Sequence, residues 1–252
     1  MNIVVDMQID AAILAALNEN NITIPTEIQA SAIPFLMEGK DVIGQAQTGT
    51  GKTFAYAIPL IGKVDAKKKS IQALIMCPTR ELSLQVCKEI EKLLKYTKLK
   101  ATTIYGGESY EKQFKALAKN PQIIIGTPGR IIDHLHRGTI HFNEVSYLVL
   151  DEADEMLKMG FQEDMETILK EVPATRQTSL FSATLPGWVR DASKKYMAEP
   201  VMVRIEQKTL TVEKIKEVLY YVKKEQKKDL LVRLLDYYQL SSVMILQIQR
   251  QW

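Results

Sequence analysis

The chain has 252 residues, 46% hydrophobic and 25% charged, the make-up of an ordinary soluble globular protein of one large domain or two small ones. A formal charge of +3 is too small to argue for or against a polyanionic partner. No apolar run approaches membrane-spanning length and no charged-then-apolar leader opens the sequence, so a cytoplasmic protein without membrane contact is expected. Cys77 and Cys87 sit in apolar stretches and read as buried, reduced thiols rather than a disulfide or a metal pair.

In chain order, short apolar runs predict strands at 41–44, 73–77, 101–105, 122–126, 147–151, 178–182 and 201–205. Several are apolar throughout, as in parallel strands covered on both faces. Helical patterns alternate with them. In "RELSLQVCKEIEKLLKY", Leu82, Val86, Ile90 and Leu93 fall on one stripe. The alternation predicts an α/β fold, a doubly wound parallel sheet with ligands at the carboxyl ends of its strands. Near residue 206 the pattern changes to a polar connection followed by one strand, an amphipathic helix at "KKDLLVRLLDYY" and a strand start at "SSVMIL". So short a tail closes no core of its own.

Two motifs carry chemistry. The first, "AQTGTGKT", is a phosphate-binding loop in which Ala46 replaces the usual first glycine. In Ala46, Gln47, Thr48, Gly49, Thr50, Gly51, Lys52 and Thr53, the glycines let backbone amides turn onto phosphates, Lys52 brings a positive charge, and the Thr53 hydroxyl suits magnesium. A strand precedes the loop and the helical "TFAYAIPLIGKV" follows it. The second, "YLVLDEAD", ends a buried strand in carboxylates. Asp151 suits magnesium, and Glu152 is placed to orient or deprotonate an attacking water. Together the motifs imply phosphoryl transfer from a nucleoside triphosphate.

These motifs, with "IPTEIQ" (24–29), "PTREL" (78–82), "GG" (106–107), "TPGR" (127–130) and "SAT" (182–184), stand in the order found in the DEAD-box RNA helicases, which the chain resembles over residues 10 to 205. The resemblance implies a RecA-like domain over 1–205, with 206–252 a linker and an unfolded fragment of a second domain. It implies ATP with Mg2+ as cofactors and RNA as partner of a monomer. Gln29 would read the adenine edge, and Asp151, Glu152 and Lys52 would be catalytic. Pro78, Thr79, Arg80, Gly106, Gly107, Thr127, Pro128, Gly129 and Arg130 would grip single-stranded RNA, and Ser182, Ala183 and Thr184 would couple hydrolysis to strand separation. The wording of these motifs argues against a DNA-directed relative.

Backbone contacts at such strand-to-helix junctions predict sequence-tolerant, salt-sensitive RNA binding. Arg80 has a second reading, an ion pair that holds the site together, and Ser182 and Thr184 have one as hydroxyls satisfying local backbone. His134, His136 and His141 lack metal-ligand context, and the lysine runs at 65–70 and 223–228 read as solvated faces. Trp188 reads as packing, and Tyr105 and Tyr110 flank the "GG" turn.

Two departures concern adenine. Ile22 stands where the family usually has a stacking aromatic, and Val4 where it has an isolated phenylalanine. The family's second domain supplies arginines to the γ-phosphate, and no matching motif lies in 206–252. The chain alone is therefore expected to be nearly inactive in unwinding, leaving a nucleotide- and RNA-binding module as the alternative. The ending "ILQIQRQW" is what deletion of one T makes of codons for "IFANTKTMV", a family-like continuation, so a frameshift from Leu246 onward is expected.

Overall fold

The structure, a computed structural model, describes residues 9–205, 218–239 and 242–245. Val4 and the segment from Leu246 onward lie outside them. The chain divides into two compact units, Met1–Glu206 and Gln207–Trp252.

In the first unit, helices α1 (Ala11–Glu19) and α2 (Glu27–Met37) lead to strand β1 (Val42–Gln45) and helix α3 (Lys52–Lys63). Then follow β2 (Ala73–Met76), α4 (Arg80–Leu94), β3 (Ala101–Ile104), α5 (Tyr110–Leu117), β4 (Ile123–Gly126) and α6 (Pro128–His136). The unit ends with β5 (Tyr147–Asp151), α7 (Ala153–Lys158), α8 (Gln162–Glu171), β6 (Gln177–Ser182), α9 (Gly187–Tyr196) and β7 (Val201–Arg204). The seven strands form one sheet in the order β3-β4-β2-β5-β6-β1-β7. Every pair in it is parallel. Each expected strand is present, within one residue of its expected bounds.

The apolar runs serve two cores, because successive side chains of a strand leave opposite faces of the sheet. On one face Ala73, Ile75, Ile123, Ile125, Tyr147 and Val149 pack with α1 to α4. On the other, Leu74, Met76, Ile124, Leu148 and Leu150 pack with Ile131, Met156, Ile168 and Val189 from α6 to α9. Val86, Ile90 and Leu93 are buried as the α4 stripe requires, and Leu82 packs at its margin. Both cysteines are buried and free.

In the second unit the described residues hold a 3-10 turn (Lys224–Gln226) and helix α10 (Lys227–Tyr238), which buries none of its side chains. The described parts of the two tail segments expected to hold strand, 218–223 and 242–245, are not strands, and the rest of both, 206–217, 241 and 246, lies outside the described residues. The reason is physical: an extended run becomes a strand only when a neighbour supplies its ladder, and sequence pattern cannot guarantee one.

Gly126, at the end of β4, illustrates how tightly the sheet edge is built. A Cβ there would lie 2.2 Å from the backbone oxygen of Ile104, an atom with no freedom to move. Gly126→Ala should therefore destabilise the domain by about 1–3 kcal/mol or more through overpacking, read as a lower urea midpoint with unchanged slope.

Candidate functional site

Since all strands run the same way, β1 to β6 deliver the glycine loop, "PTREL", "GG", "TPGR", the acidic box and "SAT" to one edge of the sheet, and "IPTEIQ" joins them from the start of α2. After β1 the chain turns through Gly49 (φ 81°) and Gly51 (φ 89°), backbone conformations that favour glycine. Thr50 Oγ1 donates to the Gln47 carbonyl (2.8 Å), which closes the loop. Gly51 then caps α3, whose first residue is Lys52. A Cβ on Gly51 would meet Gln29 Nε2 at 2.6 Å. That close approach is a bond: Gln29 Nε2 donates to the Gly51 carbonyl (3.0 Å), and Gln29 Oε1 accepts from the Thr26 amide (3.0 Å) as part of a capping box at the start of α2. Gln29 is buried, and in the structure its amide supports the loop.

Lys52 is buried and its Nζ makes no hydrogen bond to the described chain. Asp151, at the end of β5, is also buried; its Oδ2 accepts from the Tyr56 hydroxyl (2.8 Å), and its Oδ1 has no partner among the described residues. Burial pushes the Asp151 carboxyl up to about 6, against the opposing pull of Lys52 and the Tyr56 bond. Tyr56 stays protonated, chiefly through burial and then through the Asp151 charge. A buried cation and a carboxylate, each with an unsatisfied valence at one sheet edge, fit a triphosphate with its metal ion.

Glu152 adopts φ 54°, a left-handed backbone that non-glycine residues seldom occupy. Its Oε1 accepts from Thr48 Oγ1 at 3.4 Å, which ties the acidic box to the glycine loop. Asp154 is the link to "SAT": its Oδ2 accepts from the Thr184 amide (3.0 Å) and hydroxyl (2.8 Å), and its amide donates to Ser182 Oγ (3.2 Å). Burial raises the Asp154 carboxyl, but the Ser182 and Thr184 bonds outweigh it and leave it lowered. Ser182 Oγ donates to the Thr184 carbonyl (2.7 Å), so these hydroxyls do satisfy local backbone while bridging two motifs. The Ala183 carbonyl accepts from Gln45 Nε2 (3.3 Å), and the amide of the buried Ala46 donates to the Ser182 carbonyl (3.1 Å), locking β1 to β6.

The remaining motif residues gather at the ends of β2, β3 and β4. Pro78 is buried, and Thr79 caps α4 by accepting from the Leu82 amide (3.1 Å). Arg80 is exposed, its guanidinium 5.1 Å from the Tyr105 ring centroid and in no ion pair with the described residues. Gly106 and Gly107 are exposed, the latter at φ 82°. Thr127 caps α6 with Pro128 and Gly129 in its first turn. Arg130 donates to the Glu108 carbonyl (3.0 Å) and lies over the Tyr110 ring (4.2 Å).

Residues 26–192, well over half of the chain, match the DEAD/DEAH box helicase family. The chain belongs to that family.

Relatives within it bear the name DEAD-box ATP-dependent RNA helicase CshA. The Geobacillus kaustophilus protein is 51% identical over 211 residues, 84% of this chain and 45% of its own length. The Bacillus subtilis one is 46% identical over 231 residues, 92% of this chain and 47% of its own. This chain thus spans less than half the length of these curated relatives. A DEAD box protein from Methanococcus jannaschii superposes with a TM-score of 0.79 at 39% identity, covering 93% of this chain and 63% of that one. A hypothetical ATP-dependent RNA helicase from Sulfolobus tokodaii gives 0.71 at 34%, covering 78% and 57%. Among the described residues no helix is long and apolar enough to cross a membrane.

Two residues of this DEAD-box site escape sequence reading. Tyr56 follows Lys52 by one helical turn, a hydroxyl within the apolar run from Phe54 to Ile61, and that spacing is the available signal. Asp154 was visible only as a letter of the box.

The buried charge of Asp151 has a measurable consequence. Its folded value of about 6 exceeds the ordinary 3.8, so the ligand-free protein loses stability as pH rises between these values, about 3 kcal/mol in full above 6. Asp151→Asn should accordingly melt higher than the parent at pH 7.5, with the gap closing below pH 4. Thermal melts across pH check it.

Proposed function

We propose that this chain is the nucleotide-gripping half of an ATP-dependent RNA helicase, binding ATP with Mg2+ and holding single-stranded RNA by its backbone. The observation that carries the reading is that Lys52 Nζ and Asp151 Oδ1 are both buried without a partner in the described chain, near enough for the Lys52 charge to pull on the Asp151 carboxyl. In this reading amides of Gln47 to Lys52 surround the phosphates, and Ala46 sets the loop against β6. Lys52 neutralises the β- and γ-phosphates. Thr53 and Asp151 would hold the metal ion, and Glu152 takes the proton of the attacking water. Bound magnesium would neutralise charge developing on the phosphate oxygens. Ser182, Ala183 and Thr184 relay the state of the acidic box through Asp154.

RNA would lie along Pro78–Arg80, Gly106–Gly107 and Thr127–Arg130. Two helices, α4 and α6, begin there, and exposed glycine backbone allows close approach. Gln29 is the adenine reader; its bonds to Thr26 and Gly51 connect that role to the phosphate loop. Residues 1–205 form the RecA-like domain, and 206–252 a linker with a piece of the second. Residues 1–252 taken alone turn over ATP only at background, because the family's second domain brings arginines worth on the order of 10³–10⁵ in rate in related systems. As a monomer in the cytoplasm, such a module binds without unwinding.

ATP hydrolysis with and without RNA tests the reading. Background turnover by the 252-residue chain, with ADP binding abolished in Lys52→Ala and kept in Glu152→Gln, is the expected result. Robust RNA stimulation would sink the binding-module view, and an unaltered Lys52→Ala would sink the site itself.

Ile22 is half-buried against the first core and offers no aromatic face. Ile22→Tyr should tighten adenine nucleotide binding roughly two- to tenfold by adding a stacking term, seen by calorimetry.

A further inference from the structure

Beneath the "GG" turn lies a chain of buried polar side chains that the nucleotide site does not use. Gln113 and His134 are both almost wholly buried, at 3% and 0% exposure, where apolar side chains would fill the same volume without needing partners. Gln113 Nε2 donates to the Tyr105 carbonyl (3.0 Å), the last peptide before Gly106. With its amide so oriented, Gln113 Oε1 faces His134 Nε2 at 2.9 Å, which requires the proton on Nε2. His134 Nδ1 lies 2.7 Å from the hydroxyl of Thr139, whose single proton is shared between that nitrogen and the His134 carbonyl (3.0 Å), and the Thr139 amide donates to the same carbonyl (3.0 Å). Both ring nitrogens thus have a polar partner within hydrogen-bond distance. Burial, with Arg130 adding to it, holds the imidazole below its ordinary value and keeps it in this neutral form.

The same face of α6 acts on the turn a second time. Arg130, one helical turn before His134, donates to the Glu108 carbonyl (3.0 Å). Tyr110 and Phe114 of α5 pack on the His134 ring, each 5.7 Å between centroids. The turn from Tyr105 to Glu108 is thus fastened at both ends to α6, the helix that begins with the "TPGR" residues.

We propose that Gln113 and His134 are positioning residues for RNA binding, holding the Tyr105–Glu108 turn in register with the start of α6 so that both reach one strand together. This rests on the RNA reading above. The two residues touch neither the nucleotide loop nor the acidic box, so their effect is confined to RNA.

The test measures binding of a fluorescein-labelled oligouridylate at low salt, and of fluorescent ADP, to the 252-residue chain. Gln113→Met and His134→Met preserve volume but remove the bonds. Each should weaken RNA roughly five- to tenfold, the effect of one lost buried bond, and leave ADP binding unchanged. His134→Gln, which restores an N–H toward Gln113, should recover most of the loss. Equal RNA affinity in folded methionine variants, or a parallel fall in ADP binding, overturns the positioning role while leaving RNA binding itself in place. So does a His134→Gln no better than His134→Met. Should the methionine variants not fold, Thr139→Val decides at an exposed position: weaker RNA with unchanged ADP supports the proposal, and unchanged RNA rejects it. A parent chain that does not bind RNA at all overturns the RNA reading and this inference with it.

Discussion

Parallelism is the constraint on which the rest depends. When every strand points the same way, every carboxyl end reaches the same edge, and each connection must cross back through a helix or a long loop. The glycine loop after β1, the acidic box after β5, and the turns after β2, β3, β4 and β6 become neighbours although they span nearly 140 residues (45 to 184). One reversed strand would carry its motif to the far edge. Two cores make the arrangement stable. A parallel sheet needs cover on both faces, and the alternation of Leu74, Ile75 and Met76 between the cores shows how one short run serves both.

That constraint also explains which parts were legible in the sequence. Strands such as "IIIG" and "YLVLD" announce themselves because burial on both faces demands apolar residues at every position. The glycine loop was legible because positive φ at Gly49 and Gly51 leaves few other residues possible. Contacts made across the edge were not. Tyr56 and Asp151 are 95 positions apart, Gln29 and Gly51 are 22, and His134 and Gln113 are 21. Nothing local marks such pairs; they exist only once strand order is fixed. His134 shows the limit well, since from sequence a structural and a surface role stay equally open until its neighbours are known. The described parts of the tail, 218–223 and 242–245, hold no strand for the same reason, since a ladder partner is a tertiary matter that pattern does not supply.

The site carries its tension in a small set of groups. Asp151 is charged in a place that raises its proton affinity, Lys52 is buried without a hydrogen-bond partner in the described chain, and Glu152 holds an unfavourable backbone angle. Each costs stability, and the cost is borne by the cores beneath. By contrast, Asp154 is bonded by Thr184 and Ser182 and its carboxyl is lowered. Two carboxylates three residues apart thus experience opposite environments. The difference suits different work: one poised to gain a strong positive partner, the other committed to holding two strand ends together.

Gln29 shows how such a site can couple its parts without any moving element. Its one amide group spans the Thr26 amide at the start of α2 and the Gly51 carbonyl at the start of α3. A change in what that amide faces would alter the support of the phosphate loop, because the Gln29 amide is the atom group nearest to where a Gly51 Cβ would stand (2.6 Å) and donates to the Gly51 carbonyl. The "GG" turn is built on the same plan, with Gln113 spanning a turn carbonyl and a helix side chain. In both places a buried glutamine converts the position of a helix into the position of a loop. An apolar side chain could fill either space, but it could not transmit direction, since only the amide carries a donor and an acceptor at fixed angles.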